Sequence, residues 1–152
     1  DLAQAQQVAR ELMAELAPFC ERTEVAGSIR RRRAWVNDID LVAIPKNQGL
    51  LAQKLHELGC RFGGPKLQRF TFQGIPVDIY FATPETWAML LLVRTGSTSH
   101  NRELAMRAKH LGLHFAADGR GILKDGQRVA WRSEEEIFTA LQVDYRKPQE
   151  RE

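Results

Sequence analysis

Asp38 and Asp40 stand in the run Asn37-Asp38-Ile39-Asp40-Leu41-Val42, two acids set among residues that prefer burial. Side chains alternate along a strand, so an Asp-x-Asp pair on a strand directs both carboxylates to the same side of a sheet. Carboxylates that close, flanked by Ile39, Leu41 and Val42, repel each other unless something positive lies between them. A third acid repeats the setting. Asp78 is the sole acid of Ile75-Pro76-Val77-Asp78-Ile79-Tyr80-Phe81, a second run of β-formers.

Carboxylate oxygens are hard ligands, suited to Mg²⁺ held by one or two acids together with substrate phosphates. Three such carboxylates on adjacent strands can hold two cations about 3.5–4 Å apart, the spacing used for in-line displacement at phosphorus. Just upstream, Gly27-Ser28-Ile29-Arg30-Arg31 supplies a turn and cations of the kind a triphosphate needs. The pattern predicts metal-dependent chemistry on a nucleotide. An isolated Asp-x-Asp is a weak signal, since surface aspartates on an edge strand look the same; Asp78 in matching surroundings is what raises it.

The chain has 152 residues, enough for one domain or two small lobes sharing a core. Hydrophobic residues make up 43% and no apolar run reaches the roughly 18 residues of a membrane span. The first residues lack the basic start of a signal peptide. The expected setting is therefore cytoplasmic, and the expected state is a monomer with no membrane partner. A net charge of +3 is compatible with a polyanionic partner without proving one. Cys20 and Cys60 form no zinc pattern and read as core thiols of a reducing compartment. His56, His100, His110 and His114 have no metal-ligand spacing and read as solvated or helix-face residues.

Leu2, Ala5, Val8, Ala9, Leu12, Met13 and Leu16 recur at helical spacing, so the chain opens with a helix closed by Pro18. A strand over 22–26 leads to the Gly27-Ser28 turn, and a short helix over 28–32 takes Ser28 as its cap. A second strand runs over 38–44, then a helix over 50–58 ends at Gly59. Strands 67–72 and 75–81 pair across Gln73-Gly74. Thr83-Pro84-Glu85 signals the start of a helix that reaches about Arg94, with Trp87, Met89, Leu90 and Leu91 as core. Thr95-Gly96-Ser97 breaks it and acts as a hinge. A helix over 99–111, a hairpin turning at Asp125-Gly126, and a last helix over 134–141 complete the chain; Ser133 and Glu136 give that helix a capping box. The fold class is α+β: a mixed sheet backed by helices over 1–94, then a small α+β lobe over 95–152. The cleft between them is the expected ligand site.

These residues together resemble the family X DNA polymerases. The resemblance rests on Gly27-Ser28-x-Arg30-Arg31, Asp38-x-Asp40, Asp78 on its own strand, Thr95-Gly96-Ser97 followed by Asn101, and the tail Glu134-Glu135-Glu136-Ile137-Phe138 … Tyr145-Arg146-x-Pro148. It covers nearly the whole chain, from about Ala5 to Arg151. It implies a nucleotidyltransferase palm followed by a thumb- or fingers-type lobe that closes over the incoming nucleotide. Its implied cofactors are two Mg²⁺ or Mn²⁺ ions, with Asp38 and Asp40 holding both and Asp78 holding the catalytic one. Its implied partners are a DNA primer-template and a dNTP. Asp78 would accept the proton of the primer 3′-hydroxyl. Gly27 would let the backbone approach phosphate without a Cβ, while Ser28 and Arg31 grip the β- and γ-phosphates. Val93, Arg94 and Gly96 would border the nucleotide, and Asn101 would reach its base. Lys66, Arg69, Arg102, Arg107 and Lys109 are candidates for contact with DNA; a solvated face is the competing reading for each, and for part of the run Arg30 to Arg33.

The chain also departs from the family pattern. Val93-Arg94 replaces an aromatic pair, which leaves sugar selectivity open. Pro76 replaces a basic residue ahead of the third acid. Ala105 replaces an arginine that supports the templating base. The expected protein is a minimal version without the family's N-terminal helix-hairpin-helix domain or a C-terminal phosphoesterase, and the resemblance implies a bacterial, phage or viral source for one so small. The expected activity is templated addition of deoxynucleotides in repair or gap filling. A template-independent transferase acting on a nucleic-acid end or a small acceptor is the alternative.

Overall fold

The computed structural model describes residues 1–152, the side chain of residue 62 excepted. Helix α1 (Leu2–Leu16) starts at Asp1, whose carboxylate accepts from the Gln4 N–H at 2.9 Å, and buries Ala5, Val8, Ala9, Leu12 and Leu16 along one face. A short 3-10 turn containing Pro18 delivers the chain to β1 (Cys20–Val25). Then follow the four-residue helix α2 (Gly27–Arg30), β2 (Ile39–Pro45), α3 (Gln48–Glu57), β3 (Phe62–Gly63), β4 (Leu67–Phe72) and β5 (Ile75–Phe81). The five strands form one mixed sheet in the order β1-β2-β5-β4-β3. Only β2 and β5 are parallel, which the crossover through α3, β3 and β4 makes possible.

The two faces of this sheet have different partners. Ile39, Leu41, Ala43, Val77, Ile79 and Phe81 point into a core shared with α1 and α3. Val42, Ile44 and Ala82 lie on the other face, beneath Trp87 and Leu91 of α4 (Trp87–Thr95). By the two-residue period, Asp40 and Asp78 belong to this second face, at the end of the strands that α4 leaves open.

Helix α4 also supplies Ala88, Met89 and Leu92 to a further core built with α5 (Thr98–His110), α6 (Glu134–Ala140) and the sheet β6-β7-β8, formed by His114–Ala116, Gly121–Lys124 and Gln127–Ala130. One helix thus seals the face of the first sheet and anchors the second group of elements. Asp125 and Gly126 both take positive φ, as the tight turn between β7 and β8 requires.

Several local expectations shift. Helix α4 begins at Trp87, not at Thr83. The Thr86 hydroxyl turns back to accept from the Thr83 N–H at 2.9 Å, so Thr83-Pro84-Glu85 closes a turn ahead of the helix. Helix α2 starts at Gly27 and not after a Ser28 cap. Asp38 sits in a bend just before β2, which begins at Ile39. Glu136 gives its carboxylate to the Trp131 and Arg132 N–H groups rather than back to Ser133, so only half of the expected capping box forms. Strands β3 and β6 were not anticipated, being two and three residues long.

His100 is also not a solvated helix-face residue. It is buried against Phe138 at a ring distance of 6.0 Å, and burial, followed by Arg146 and Arg151, pushes its pKa down to about 4. Cys20 and Cys60 are both buried, and burial raises the Cys20 thiol to about 11. No helix among the described residues is long and apolar enough to cross a membrane.

A buried ionic junction ties α2 to the C-terminal elements. Arg30 donates through both terminal nitrogens to Glu134, at 2.9 and 2.6 Å, and to the Thr95 hydroxyl at 2.9 Å. Arg151, fully buried, donates to the same carboxylate at 2.8 Å and lies against Phe138 and Tyr145. Arg31 donates to the Thr95 carbonyl. Thr95, where a hinge was expected, is therefore held by two arginines, one in α2 and one at its end.

Candidate active site

Asp40 and Asp78 are direct register partners on the parallel strands β2 and β5, which places their backbones one strand spacing apart, about 4.8 Å. Asp38 precedes Asp40 by two residues. Burial, then the charges of Asp38 and Asp78, push the Asp40 carboxyl up to about 6, against the opposing pull of Arg94 and Arg31. Two like charges thus bear on Asp40, one from the preceding bend and one from the neighbouring strand.

Asp78 is not free in this arrangement. Arg69, its cross-strand partner on β4, sets Nε 3.1 Å from Oδ1, and the Tyr80 hydroxyl lies 3.5 Å from Oδ2. The Arg94 guanidinium stacks 4.0 Å over the Tyr80 ring.

A recess of about 290 Å³ brings Gly27, Ser28, Arg31, Asp38 and Asp40 opposite Val93, Arg94, Gly96 and Asn101. Tyr80, Ser97 and Thr98 complete its wall, three residues that the sequence reading missed. Tyr80 was within reach of the strand period, being two residues from Asp78. Asp78 itself does not line this recess; it stands beside it on β5. A larger cavity of about 910 Å³ adjoins it through Tyr80 and Arg94, with Lys66, Phe81, Leu90 and Asp118 on its walls. Asp38 and Asp40 belong to the smaller recess.

Gly27 is required by its neighbour. Its φ is +59°, and a Cβ there would stand 2.2 Å from Asp40 Oδ2. Gly27→Ala is expected to cost about 1–2 kcal/mol from the left-handed backbone alone. Thermal melts would detect it, and a change below a few tenths of a kcal/mol would mean that the turn adjusts freely.

Arg31 faces the recess, and burial followed by the Arg33 charge lowers its pKa. The Asn101 amide donates to the Val93 carbonyl at 2.8 Å, leaving its buried Oδ1 with no protein partner. Among the DNA candidates, Arg69 is paired with Asp78, and Arg107 sends Nε to the Leu141 carbonyl at 3.0 Å, tying α5 to the end of α6. Lys66 borders the larger cavity, while Arg102 and Lys109 project from α5 into solvent.

Among the described residues, no three His, Cys, Asp or Glu side chains are grouped closely enough to hold an ion as they stand. The donor set nevertheless fits a hard divalent cation. It offers carboxylate oxygens on Asp40, which burial and then the charges of Asp38 and Asp78 raise, a cost that a cation would relieve. Asp38 and Asp40 would be its first ligands, with Asp78 joining once its bond to Arg69 loosens.

The chain therefore sets an acid-bearing mixed sheet and a second, three-stranded sheet with its helices around a polar recess. Residues 90–152 match the family model described as DNA polymerase beta thumb. The whole chain superimposes on Leishmania infantum polymerase beta, solved as a ternary P/T complex, with a TM-score of 0.84 at 18% identity; the match covers 99% of this chain and 76% of that one. No curated protein matches it by sequence. The fold is that of polymerase beta.

Proposed function

We propose that this protein is a template-directed DNA polymerase, adding deoxynucleotides from dNTP to a primer 3′-hydroxyl in repair or gap filling. The observation that carries the proposal is one recess that sets Asp38 and Asp40, beside the Gly27-Ser28 turn and Arg31, opposite Asn101, with Asp78 paired to Asp40 on the next strand. We place the division of labour at residues 94 and 95, with the acids before it and the nucleotide-covering lobe after it. A single chain in a reducing cytoplasm, with DNA as its partner, suits the proposal.

Two bound Mg²⁺ or Mn²⁺ ions on Asp38, Asp40 and Asp78 would neutralise phosphate charge and lower the pKa of the attacking hydroxyl. The chain's own groups do the rest. Ser28 and Arg31 hold the β- and γ-phosphates, the guanidinium offering a planar fork to phosphate oxygens. Val93 and the Arg94 backbone border the sugar, and Asn101 Oδ1, lacking a protein partner, is available to a base N–H. Asp78, once its bond to Arg69 has loosened, accepts the proton of the primer hydroxyl, with the Tyr80 hydroxyl beside its Oδ2. Positioning supplies much of the rate, and misplacement by about 1 Å can cost on the order of 10²-fold. Gly27→Ala, which pushes on Asp40, is thus expected to lower kcat by about that factor.

The test is single-nucleotide addition on four primer-templates that differ only in the templating base. The proposal expects the added nucleotide to follow the template. Addition indifferent to the template would replace it with an untemplated transferase, and no addition with either Mg²⁺ or Mn²⁺ would end it.

A further inference from the structure

The chain has three tryptophans, and two of them are capped by arginine. Arg22 lies 4.3 Å over the Trp87 ring, and Arg128 and Arg132 lie 4.4 and 4.8 Å from the Trp131 ring. Trp35 has no such cap among the described residues and is 77% exposed. A lone exposed apolar residue needs no explanation. Trp35 has three further features.

First, it is fixed and not dangling. The Ala34 carbonyl accepts from the Leu2 N–H at 3.1 Å, and Val36 packs on the first core, so the indole is presented from a loop anchored on both sides. Second, cations without counter-charges lie close by. Of the run Arg30 to Arg33, Arg30 is bound to Glu134, Arg33 is paired with Glu152, and Arg31 faces the nucleotide recess. Arg32 is exposed and, with Gln6 and Arg10, borders a separate recess of about 230 Å³ floored by Ala9 and Met13. Among the described residues, Arg10 bonds only the neutral Gln7, at 2.8 Å. Third, these groups are within reach of one another. Leu2, which anchors the Trp35 loop, is one helical turn from Gln6 and two from Arg10, about 6 and 12 Å along α1.

We infer that Trp35, Arg32 and Arg10 form a subsite for single-stranded DNA, the base stacking on the indole and its phosphates lying on the two guanidiniums. An aromatic platform beside uncompensated arginines is what a sequence-indifferent single-strand site needs. Its place fits as well. Asp38 lies three residues beyond Trp35, so an unpaired strand held here borders the site where nucleotides are joined. The arginine run thus serves two sites: Arg31 the triphosphate, Arg32 the strand outside it.

The inference rests on the polymerase reading for its choice of ligand, so its test is equilibrium binding without dNTP or metal, which the fate of catalysis does not touch. The probes are a fluorescein-labelled oligothymidylate of 12 nucleotides and a blunt 12-base-pair duplex, read by anisotropy at several salt concentrations. Trp35→Ala is expected to weaken oligothymidylate binding tenfold or more and duplex binding little, and Trp35→Phe to restore most of the loss. Arg32→Ala and Arg10→Ala are each expected to lower the slope of log K against log salt by about 0.7. The oligothymidylate should also quench wild-type tryptophan fluorescence. Unchanged single-strand affinity in Trp35→Ala overturns the inference. So does equal loss for both probes, or a drop in sedimentation size that shows Trp35 to be a contact between two copies.

Discussion

Glu134→Gln is expected to destabilise the protein by about 3–5 kcal/mol, the loss typical of breaking a buried ion pair from one side. The residue accepts from Arg30 and Arg151 at once. Arg151 is wholly buried, with Nε on the Arg146 carbonyl and Nη2 without a partner, so its charge has little else to rest on. Burial alone would raise the Glu134 pKa, but the hydrogen bonds and charges of Arg30 and Arg151 outweigh it and hold the carboxyl below its ordinary value. A lowered carboxyl contributes stability above the unfolded pKa, about 4.3, and loses it as pH falls through the folded value. At pH 7 the whole contribution is present, and the variant forfeits it. For a chain of this length the melting temperature should fall by roughly 10 °C. Replacing Arg30, Glu134 and Arg151 together by Met, Leu and Met should recover most of that loss, since an apolar junction leaves no stranded charge. A single-variant change under about 2 °C would show that water already screens the junction.

That junction also marks where sequence reading stops. Arg30 and Glu134 are 104 residues apart, and nothing in periodicity or local chemistry pairs them. The strands were legible because their alternation is local: Ile39, Leu41 and Ala43 against Asp40 and Val42, Val77 and Ile79 against Asp78 and Tyr80. The Arg69–Asp78 pair was also within reach. Counting back from the Gln73-Gly74 turn, with Phe72 opposite Ile75, sets Arg69 opposite Asp78. It was missed because Arg69 was weighed as a DNA contact and not as a cross-strand neighbour. Residue type alone makes His100 a solvated residue, and its spacing says otherwise. Its spacing of four to Leu104 and eight to Ala108 puts it on the buried face of α5. Thr83-Pro84 misled for the opposite reason. The local signal for a helix start was sound, but the Thr86 hydroxyl closes a turn there first. The recess was legible in its members and not in its shape. Gly27 was expected to make room for phosphate, whereas the tighter constraint is the Asp40 carboxylate behind it.

Asp40→Asn is expected to stop primer extension while making the metal-free protein more stable. Metal ligation of a transferring phosphate supplies several kcal/mol, so loss of a ligand should lower the rate by about 10³-fold or more. Stability should move the other way. The Asp40 carboxyl is raised to about 6 by burial and by Asp38 and Asp78, whereas it titrates near 3.9 when unfolded. A raised carboxyl destabilises the fold where it is ionised. The penalty is absent below about pH 4, grows between 4 and 6, and is complete above 6. Removing the charge should therefore raise stability by about 2 kcal/mol at pH 8 and change it little at pH 4. Magnesium supplies the complementary measurement. An ion that binds the folded form alone raises its melting temperature with concentration, so wild type should gain from Mg²⁺ and Asp40→Asn should not. A variant that melts below wild type at pH 8 would contradict the clustering of charge on this carboxylate. A variant that still extends primers would remove it from the chemistry. The two results together separate a carboxylate kept for its charge from one kept for its shape, because only the first leaves the fold relieved when the charge is taken away.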